Sequence, residues 1–261
     1  MNELTGLRAR LHESGNPMLG TFVIVPRVEI VEIIAAAGFD LVVLDCEHGP
    51  FGVESLPPLV AAAQGAGMYA VVRVSGNDEQ TIGAVLDCGA DGVLVPHVGS
   101  GAEARDTVSS SRFPPAGARS VHLWVRAAGY GTLTDFVTTA DRSIAVLAMV
   151  EGKDAHAQLD DITATEGLDA VFVGPMDLAA SLGLAATPSD PRVAEAAADI
   201  VGRAAAAGKA TSIFAPTPES ARAWLAAGVQ LVVLAVDSAL MLRGFSEAAA
   251  QARPVPDHAT N

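Results

Sequence analysis

Residues 31–50, VEIIAAAGFDLVVLDCEHGP, contain the pattern that decides the fold. The alanine-rich first part has helical periodicity and ends in glycine, as helices often do. A short β-branched strand, LVVLD (41–45), follows, and polar residues come directly after it. A helix that leads into a fully apolar strand is typical of a parallel sheet buried on both faces.

The same alternation continues in both directions along the chain. Helical stretches such as EQTIGAVLDCGA and ESARAWLAAG separate eight strand candidates. Consecutive βα units imply a parallel sheet with right-handed crossovers, and eight of them favour a closed (β/α)8 TIM barrel. An open doubly wound sheet is the alternative, but no GxGxxG follows the first strand. The strand candidates are TFVIV (21–25), LVVLD (41–45), YAVVRV (69–74), GVLVP (92–96), IAVLAMV (144–150), DAVFV (169–173), ATSIF (210–214) and LVVLA (231–235).

The chain is expected to form a single barrel domain over residues 1–261, because such barrels commonly have about 250 residues. The spacing of three leucines (Leu4, Leu7 and Leu11) predicts a short amphipathic N-terminal helix. An extended C-terminal helix is expected to give way to a tail over about 251–261.

The one long interruption of the pattern is residues 113–131. Loops of this length inside a compact domain are usually functional, so we interpret this one as a loop over a barrel mouth.

Composition excludes several classes of protein. Half of the residues are hydrophobic and 18% are charged, which argues against a disordered chain. The formal net charge of −14 argues against a nucleic-acid partner, which needs clustered lysine and arginine. We find no signal peptide, no apolar run long enough to span a bilayer and no disulfide framework in the two cysteines. A cytoplasmic enzyme without a membrane partner is expected.

Polar residues collect where the predicted strands end. The carboxyl ends of all eight strands of a TIM barrel meet at one mouth, and catalytic groups come from there. Six predicted strands carry ionisable groups in or just after them, so this mouth is the predicted active site. These groups are Asp45, Glu47 and His48 after strand two, Arg73 in strand three, His97 after strand four, Glu151 after strand five, Asp177 after strand six and Asp237 after strand eight.

Glu151 and Asp177 supply two carboxylates from neighbouring strand ends. Without a thiolate cluster nearby, this pair suits a hard divalent cation such as Mg²⁺ or Mn²⁺, with Co²⁺ as a further candidate. Two protein oxygens as ligands would leave coordination positions on the cation for water and for a chelating substrate. The alternative is that either acid is a helix N-cap, since each precedes a helix.

Arg73 interrupts a strand of valines, where a charge is costly to bury without a partner. It either pairs with one of the acids, or its planar fork holds a substrate carboxylate or an enolate oxygen. Gly174, Pro175 and Met176 lead into a helix, and since proline has no N–H, the backbone N–H groups of residues 174, 176 and 177 are the candidates for holding an anion. No lysine lies at a strand end, which disfavours a Schiff-base mechanism.

His48 is the best candidate for moving a proton, because histidine titrates near neutral pH. The alternative is a loop histidine without a role, and this interpretation is preferred for His97 and His122. Asp87 lies near the end of a helical stretch, where an acid opposes the helix dipole, which suggests a specific partner such as a histidine. Cys46 is interpreted as a small apolar filler.

Several segments together resemble the HpcH/HpaI family of class II pyruvate aldolases, from about Leu19 to about residue 250. In chain order the segments that carry this resemblance are AGFDLVVLDCEHGPFG, VVRVSGND, LDCGADGVLVPHV, RFPPAGARS, MVEG, GLDAVFVGPMDLAASLG and LAVDSALM. The resemblance implies a metal-dependent aldolase that joins pyruvate, or a related 2-oxo acid, to an aldehyde. It also implies a hexamer in which the last helix packs on a neighbouring barrel.

The resemblance assigns roles to individual positions. It places the metal ligands at Glu151 and Asp177, the catalytic histidine at His48 with Asp87 as its acidic partner, the essential arginine at Arg73, a further acid of the mouth at Asp45, and the backbone that receives the pyruvate carboxylate at Gly174, Pro175 and Met176.

Two positions depart from the family pattern. Met149 stands where many relatives have a glutamine near the metal and pyruvate. His122 follows FPPAGARS, where relatives often have a small residue, in a loop that helps to shape the aldehyde side. The identities of the acceptor aldehyde and of the 2-oxo acid donor therefore stay open.

A citrate-lyase-like lyase acting on a CoA thioester is the nearest alternative to an aldolase, although no basic patch for CoA phosphates is evident. A non-catalytic barrel that binds a 2-oxo acid is the other.

Overall fold

The computed structural model describes residues 6–13, 15–184 and 189–253 and confirms the TIM barrel. Eight parallel strands pair in sequence order, and β8 closes on β1. The predicted strands agree with the structure to within a few residues. The strands are β1 (Met18–Val23), β2 (Leu41–Asp45), β3 (Tyr69–Arg73), β4 (Gly92–Val95), β5 (Ala145–Val150), β6 (Ala170–Val173), β7 (Ala210–Ala215) and β8 (Leu231–Val236).

Helices cover the outside of the barrel, and their apolar faces pack against the outward-facing valines and leucines of the strands. Short 3-10 segments lie at Val53–Ser55 and Arg126–Gly131. The helices are α1 (Leu7–Leu11), α2 (Val28–Ala36), α3 (Leu56–Gly65), α4 (Glu79–Asp87), α5 (Gly101–Ser111), α6 (Phe136–Ser143), α7 (Lys153–Ala157), α8 (Leu159–Thr163), α9 (Pro175–Ser181), α10 (Pro191–Ala206), α11 (Pro218–Ala226) and α12 (Asp237–Ala252).

A separate apolar cluster fills the inside of the barrel and includes Leu7 and Leu11 of α1. Both leucines are fully buried, so α1 closes the amino-terminal end of the barrel. The predicted N-terminal helix is therefore confirmed for these two residues, while Leu4 lies outside the described residues.

One hydrogen-bonding arrangement occurs four times at the amino-terminal end, and we call it the strand-start clamp. The side chain of the residue just before each even-numbered strand accepts a hydrogen bond from the backbone N–H of a residue near the start of the preceding strand. The backbone N–H of the first of these two residues donates in turn to the backbone carbonyl of the second. The side-chain bonds join Asp40 to Leu19, Asp91 to Ala70, Asp169 to Val146 and Gln230 to Thr211, each at 2.8 Å.

The long connection between α5 and α6, which was predicted to lie over a barrel mouth, begins at the amino-terminal end of the barrel and not at the carboxyl end, where the active site is predicted. The physical reason is that α5 first carries the chain back along the barrel. Arg112, just after α5, donates to the Ile144 carbonyl and to Asp169, at the starts of β5 and β6. Arg126, farther along the connection, donates to the Cys88 carbonyl ahead of β4.

The extended C-terminal helix is confirmed as α12, which runs through Ala252. The predicted tail over 251–261 therefore begins inside a helix, and residues 254–261 lie outside the described part of the chain. Among the described residues, no helix is long and apolar enough to cross a membrane.

Candidate active site

Asp45 and Arg73 form the centre of the site at the carboxyl end of the barrel. They are opposite each other in the β2–β3 register, so both side chains leave the sheet at the same level. Arg73 Nε donates to Asp45 Oδ1 at 2.9 Å, and Nη2 donates to Oδ2 at 2.6 Å. Both residues are buried, and this two-pronged pairing offsets the cost of burying their charges.

Three further contacts hold the Arg73 guanidinium in place. Nη1 lies 2.9 Å from Glu47 Oε2, and the Phe22 ring lies beneath the guanidinium carbon at 4.6 Å from the ring centroid. Nη1 is also 3.9 Å from Met149 Sδ, a weak acceptor. Both interpretations of Arg73, pairing with acids and holding a substrate oxygen, are therefore compatible with the structure. It pairs with acids, and it keeps spare N–H groups, since a guanidinium has five donors.

His97 joins Glu47 to Glu151. Its backbone N–H and its ring Nδ1 both lie 2.8 Å from Glu151 Oε1, while ring Nε2 lies 3.1 Å from Glu47 Oε1. To make these contacts, His97 adopts a left-handed φ of 55°, which is uncommon for a residue with a side chain. Sequence reasoning set His97 aside as a loop residue and gave Glu47 no role. Their position at strand ends was the signal that could have found both.

Glu151 is a buried carboxyl group that follows β5. Its pKa is raised to about 7, mainly by burial and also by the nearby Asp177 and Glu47, although the hydrogen bond from the His97 backbone N–H and the His97 ring act in the opposite direction. The N-cap alternative does not hold for either predicted metal ligand, because α7 and α9 are capped by Gly152 and Gly174. A cation between Glu151 and Asp177 would relieve the crowding of negative charge.

The donor set fits a divalent metal of the Mg²⁺ or Mn²⁺ kind. Glu151 and Asp177 line one common cavity of 350 Å³, and both offer only hard oxygen atoms. Within the described ranges, no cluster of three or more metal-ligating side chains occurs. Two protein ligands are compatible with Mg²⁺, which usually keeps several waters and binds through one or two carboxylates.

The backbone at Gly174, Pro175 and Met176 lies beside these carboxylates. A Cβ atom on Gly174 would come within 2.7 Å of Glu151 Oε2 and 2.7 Å of Met149 Cε, so a larger residue there would displace the ends of both side chains. The Gly174 N–H donates to the Val150 carbonyl and Pro175 has none, which leaves the N–H groups of residues 176 and 177 for an anion.

A second cavity of 310 Å³ adjoins the first and shares Asp177 with it. Arg73, Asp45 and His48 line one part of it. The backbone N–H of His48 donates to Asp45 Oδ1 at 3.2 Å, and its side chain is 66% exposed. The predicted groups Asp45, His48, Arg73 and Asp177 thus meet around one small space.

Asp87 is not brought to this place within one chain. It is the last residue of α4, which leads towards the start of β4, and its carboxylate accepts a hydrogen bond from Arg119 Nη2 at 2.8 Å. His48 instead follows the carboxyl end of β2. A pairing between Asp87 and His48 would therefore need two subunits.

Two other polar candidates have structural roles. Asp237 accepts the backbone N–H groups of Ile24, Val25 and Ser238, so it fixes the segment after β1 instead of facing a ligand. Burial, with a smaller contribution from Asp45, raises the pKa of Cys46 to about 12, which keeps the thiol protonated and agrees with its predicted role as a filler.

Comparison with known proteins supports the same family as the sequence motifs. The profile of the HpcH/HpaI aldolase/citrate lyase family matches residues 18–244. The chain is 39% identical to the 5-keto-4-deoxy-D-glucarate aldolase of Shigella dysenteriae, over 79% of this chain and 80% of that one. It is 35% identical to the pyruvate aldolase of Rhizobium etli, over 91% and 94%. Among solved structures, the citrate synthase SbnG matches with a TM-score of 0.85 at 34% identity, over 94% and 96%.

Proposed function

Because this chain belongs to the HpcH/HpaI aldolase/citrate lyase family and is a carbon–carbon lyase of the aldolase type, we propose that its donor is pyruvate or a closely related 2-oxo acid. It joins the enolate of this donor to an aldehyde, or cleaves the resulting 4-hydroxy-2-oxo acid. The observation that carries the proposal is the meeting of Glu151, Asp177 and Arg73 around adjoining cavities.

Each residue of the site has a distinct task in this reaction. A divalent metal held by Glu151 and Asp177 would supply the Lewis acid that stabilises an enolate. Arg73 adds a fixed positive charge beside the reacting oxygen, and its pairing with Asp45 and Glu47 means that little reorganisation is needed. The N–H groups of residues 176 and 177 receive the donor carboxylate.

His48 moves the proton. Its ring lines the cavity that Arg73 also lines, and its backbone is tied to Asp45, so it can approach a hydroxyl formed on the acceptor. Asp87 is its proposed acidic partner, and it would reach His48 from another subunit. Exposed apolar side chains support such an assembly, which we propose to be a hexamer. They include Trp124 and Tyr130 in the long connection and Leu242 and Phe245 on α12.

The proposed location is the cytoplasm, supported by the acidic composition and by two free cysteines, Cys46 and Cys88. The similarity to a citrate synthase favours one second candidate, a citrate-lyase-like reaction in which the enolate of a CoA thioester adds to the keto carbon of a 2-oxo acid. Arg73 is the only cation lining the cavity among the described residues, and this leaves little charge for CoA phosphates. Parallel assays with an aldehyde and with acetyl-CoA would separate the two candidates.

The test of the proposed function is hydrogen–deuterium exchange of the pyruvate methyl group in D2O, followed by NMR. We expect exchange with Mg²⁺ or Mn²⁺, loss of exchange with EDTA and recovery when the metal is restored. Arg73→Lys keeps a charge but loses the planar fork, so exchange should slow by about 10²-fold. The exposed Arg222→Lys is the matched control. Exchange that is absent under every metal would contradict the proposal.

A further inference from the structure

The 310 Å³ cavity has two chemically different sides. Asp45, Arg73, His48 and Asp177 form the charged side, where the donor and the proton-moving group belong under the proposed function. The rest of the lining is apolar. It consists of Phe22, Ile24, Met149, Pro175, Met176, Phe214 and Val236, together with the backbone of Gly174.

The charge of the cavity disfavours a second anionic group. Arg73 is the only cation among the described residues that line it, and Asp45 and Glu47 already pair with its guanidinium. Its remaining N–H groups are needed for the donor. Within one chain, a carboxylate on the acceptor would therefore enter a cavity lined by acids, with no positive partner left for it, and Asp87, which is proposed to reach His48 from another subunit, would add a further acid.

The nearest lysine does not change this balance. Lys153 lines the 350 Å³ cavity, on the side that holds His97 and Glu151, whereas His48 lines the 310 Å³ cavity. An acceptor that reacts beside His48 therefore has apolar side chains around its far end. Burial of an aliphatic chain against them is favourable, while a hydroxyl or a carboxylate would lose its water without a partner.

Met149 strengthens the apolar character at the point where donor and acceptor meet. It is buried, its sulfur lies 3.9 Å from Arg73 Nη1, and its methyl group fills the space beside Gly174. A thioether accepts only weakly and donates no hydrogen bond. A polar acceptor would therefore find no strong hydrogen-bonding partner at this position.

We infer that the acceptor is an uncharged aldehyde with a short aliphatic chain, and that Ile24, Met149, Phe214 and Val236 set this preference. The inference rests on the proposed function and specifies its second substrate. A 310 Å³ space is at the small end of ligand pockets, which fits a three-carbon donor and a short acceptor.

The experiment compares two aldehydes of equal carbon number, butanal and 4-oxobutanoate, with saturating pyruvate and Mn²⁺. Formation of the 4-hydroxy-2-oxo acid is followed by NMR, and the pyruvate exchange assay is run on the same protein. We expect kcat/KM to favour butanal by about tenfold or more. Propanal and glyceraldehyde form a second pair, in which the aliphatic member should again react faster.

A matched pair of variants assigns the preference to the cavity. Ile24→Lys introduces a cation into the lining at a residue outside the strands, and it should shift the ratio towards 4-oxobutanoate by about tenfold. Ile33→Lys makes the same change on the exposed face of α2, where the side chain is 62% exposed, and it should leave the ratio unchanged.

The outcomes distinguish a failure of the acceptor assignment from a failure of the proposed function. Metal-dependent exchange together with equal or faster reaction of 4-oxobutanoate would overturn the acceptor assignment and leave the proposed function standing. The same holds if both lysine variants shift the ratio equally. Reaction with a thioester alone would overturn the proposed function together with the acceptor assignment. A protein that neither exchanges pyruvate protons nor reacts with any aldehyde would overturn the proposed function and the acceptor assignment with it.

Discussion

The two ends of the barrel use polar side chains in opposite ways. At the amino-terminal end, four strand-start clamps repeat one geometry, and each side-chain oxygen accepts a backbone N–H at 2.8 Å. At the carboxyl end, Asp45, Arg73, Glu47, His97 and Glu151 form one irregular chain of contacts. The regularly repeated polar groups therefore serve the strands, whereas the irregular ones are available to a ligand.

The difference is also energetic. The clamps pair groups that would otherwise be unsatisfied at the strand starts, so each clamp stabilises the barrel. The carboxyl end instead buries Glu151 beside other acids, which raises its pKa, and it holds His97 at a left-handed φ of 55°. Sites of this kind commonly cost stability and are retained for function.

The largest effect is expected for Glu151→Gln at the carboxyl end. It removes one of two proposed metal ligands but keeps the side-chain volume and an acceptor for the His97 N–H. The rate of metal-dependent pyruvate exchange should fall by at least about 10³-fold. Tm measured without metal should stay constant or rise, because a buried carboxyl group beside other acids is removed.

The exposed Glu219→Gln, which lies on α11, is the control for Glu151→Gln and should change neither quantity. A Glu151→Gln protein that melts well below the parent would show that the polar groups of the carboxyl end stabilise the fold, as those of the amino-terminal end do.

The next effect is expected for Asp169→Ala at the amino-terminal end. Asp169 accepts from the Val146 N–H and pairs with Arg112 at 2.6 Å and Arg8 at 2.8 Å. Its loss leaves the buried Arg112 with carbonyl acceptors only, so unfolding should become easier by about 3 kcal/mol, the lower end for a broken buried pair. That corresponds to a fall in Tm of roughly 10 °C.

Activity separates Asp169→Ala from the Glu151 variant. Well below its Tm, the Asp169→Ala protein should keep the exchange rate of the parent within about twofold, since the substitution lies at the other end of the strands. Asp160→Ala, at an exposed ion pair with Arg203, should change Tm by little. A loss of exchange at unchanged Tm would show that the clamp acts on the site.

The fold was predictable from the sequence because the strands are short runs rich in β-branched residues, and several of the helices between them end in glycine. β2, LVVLD, was predicted to the residue, but β1 ends at Val23 because Asp237 takes the next two N–H groups. That contact joins residues more than 200 positions apart, and local patterns do not contain it.

The site was predictable only in part. Strand ends indicated Asp45, Arg73, Glu151 and Asp177, because in a barrel a position along the chain fixes a position at the mouth. The bridging role of His97 depends on an unusual backbone angle that composition does not reveal. The clamps were also missed, although a polar residue precedes each even-numbered strand.

A smaller effect is expected among the four clamps, which differ in the residue that accepts the backbone N–H. Three use aspartate, whereas the fourth uses Gln230, so an amide can accept the same hydrogen bond.

Burial raises the pKa of Asp91 above its ordinary value. For an acid with a raised folded-state pKa, ionisation opposes folding, so its contribution to stability is complete at low pH and is lost as pH rises through the folded pKa. Asp91→Asn cannot ionise, and at pH 7 its free energy of unfolding should equal or exceed that of the parent by up to about 1 kcal/mol. The advantage should shrink as the pH falls towards 4, where the parent carboxyl becomes protonated. Paired urea titrations at the two pH values measure this difference. An Asp91→Asn protein that is less stable at pH 7 than at pH 4, relative to the parent, would mean that the clamp depends on the charge of its carboxylate and is not interchangeable with the amide of Gln230.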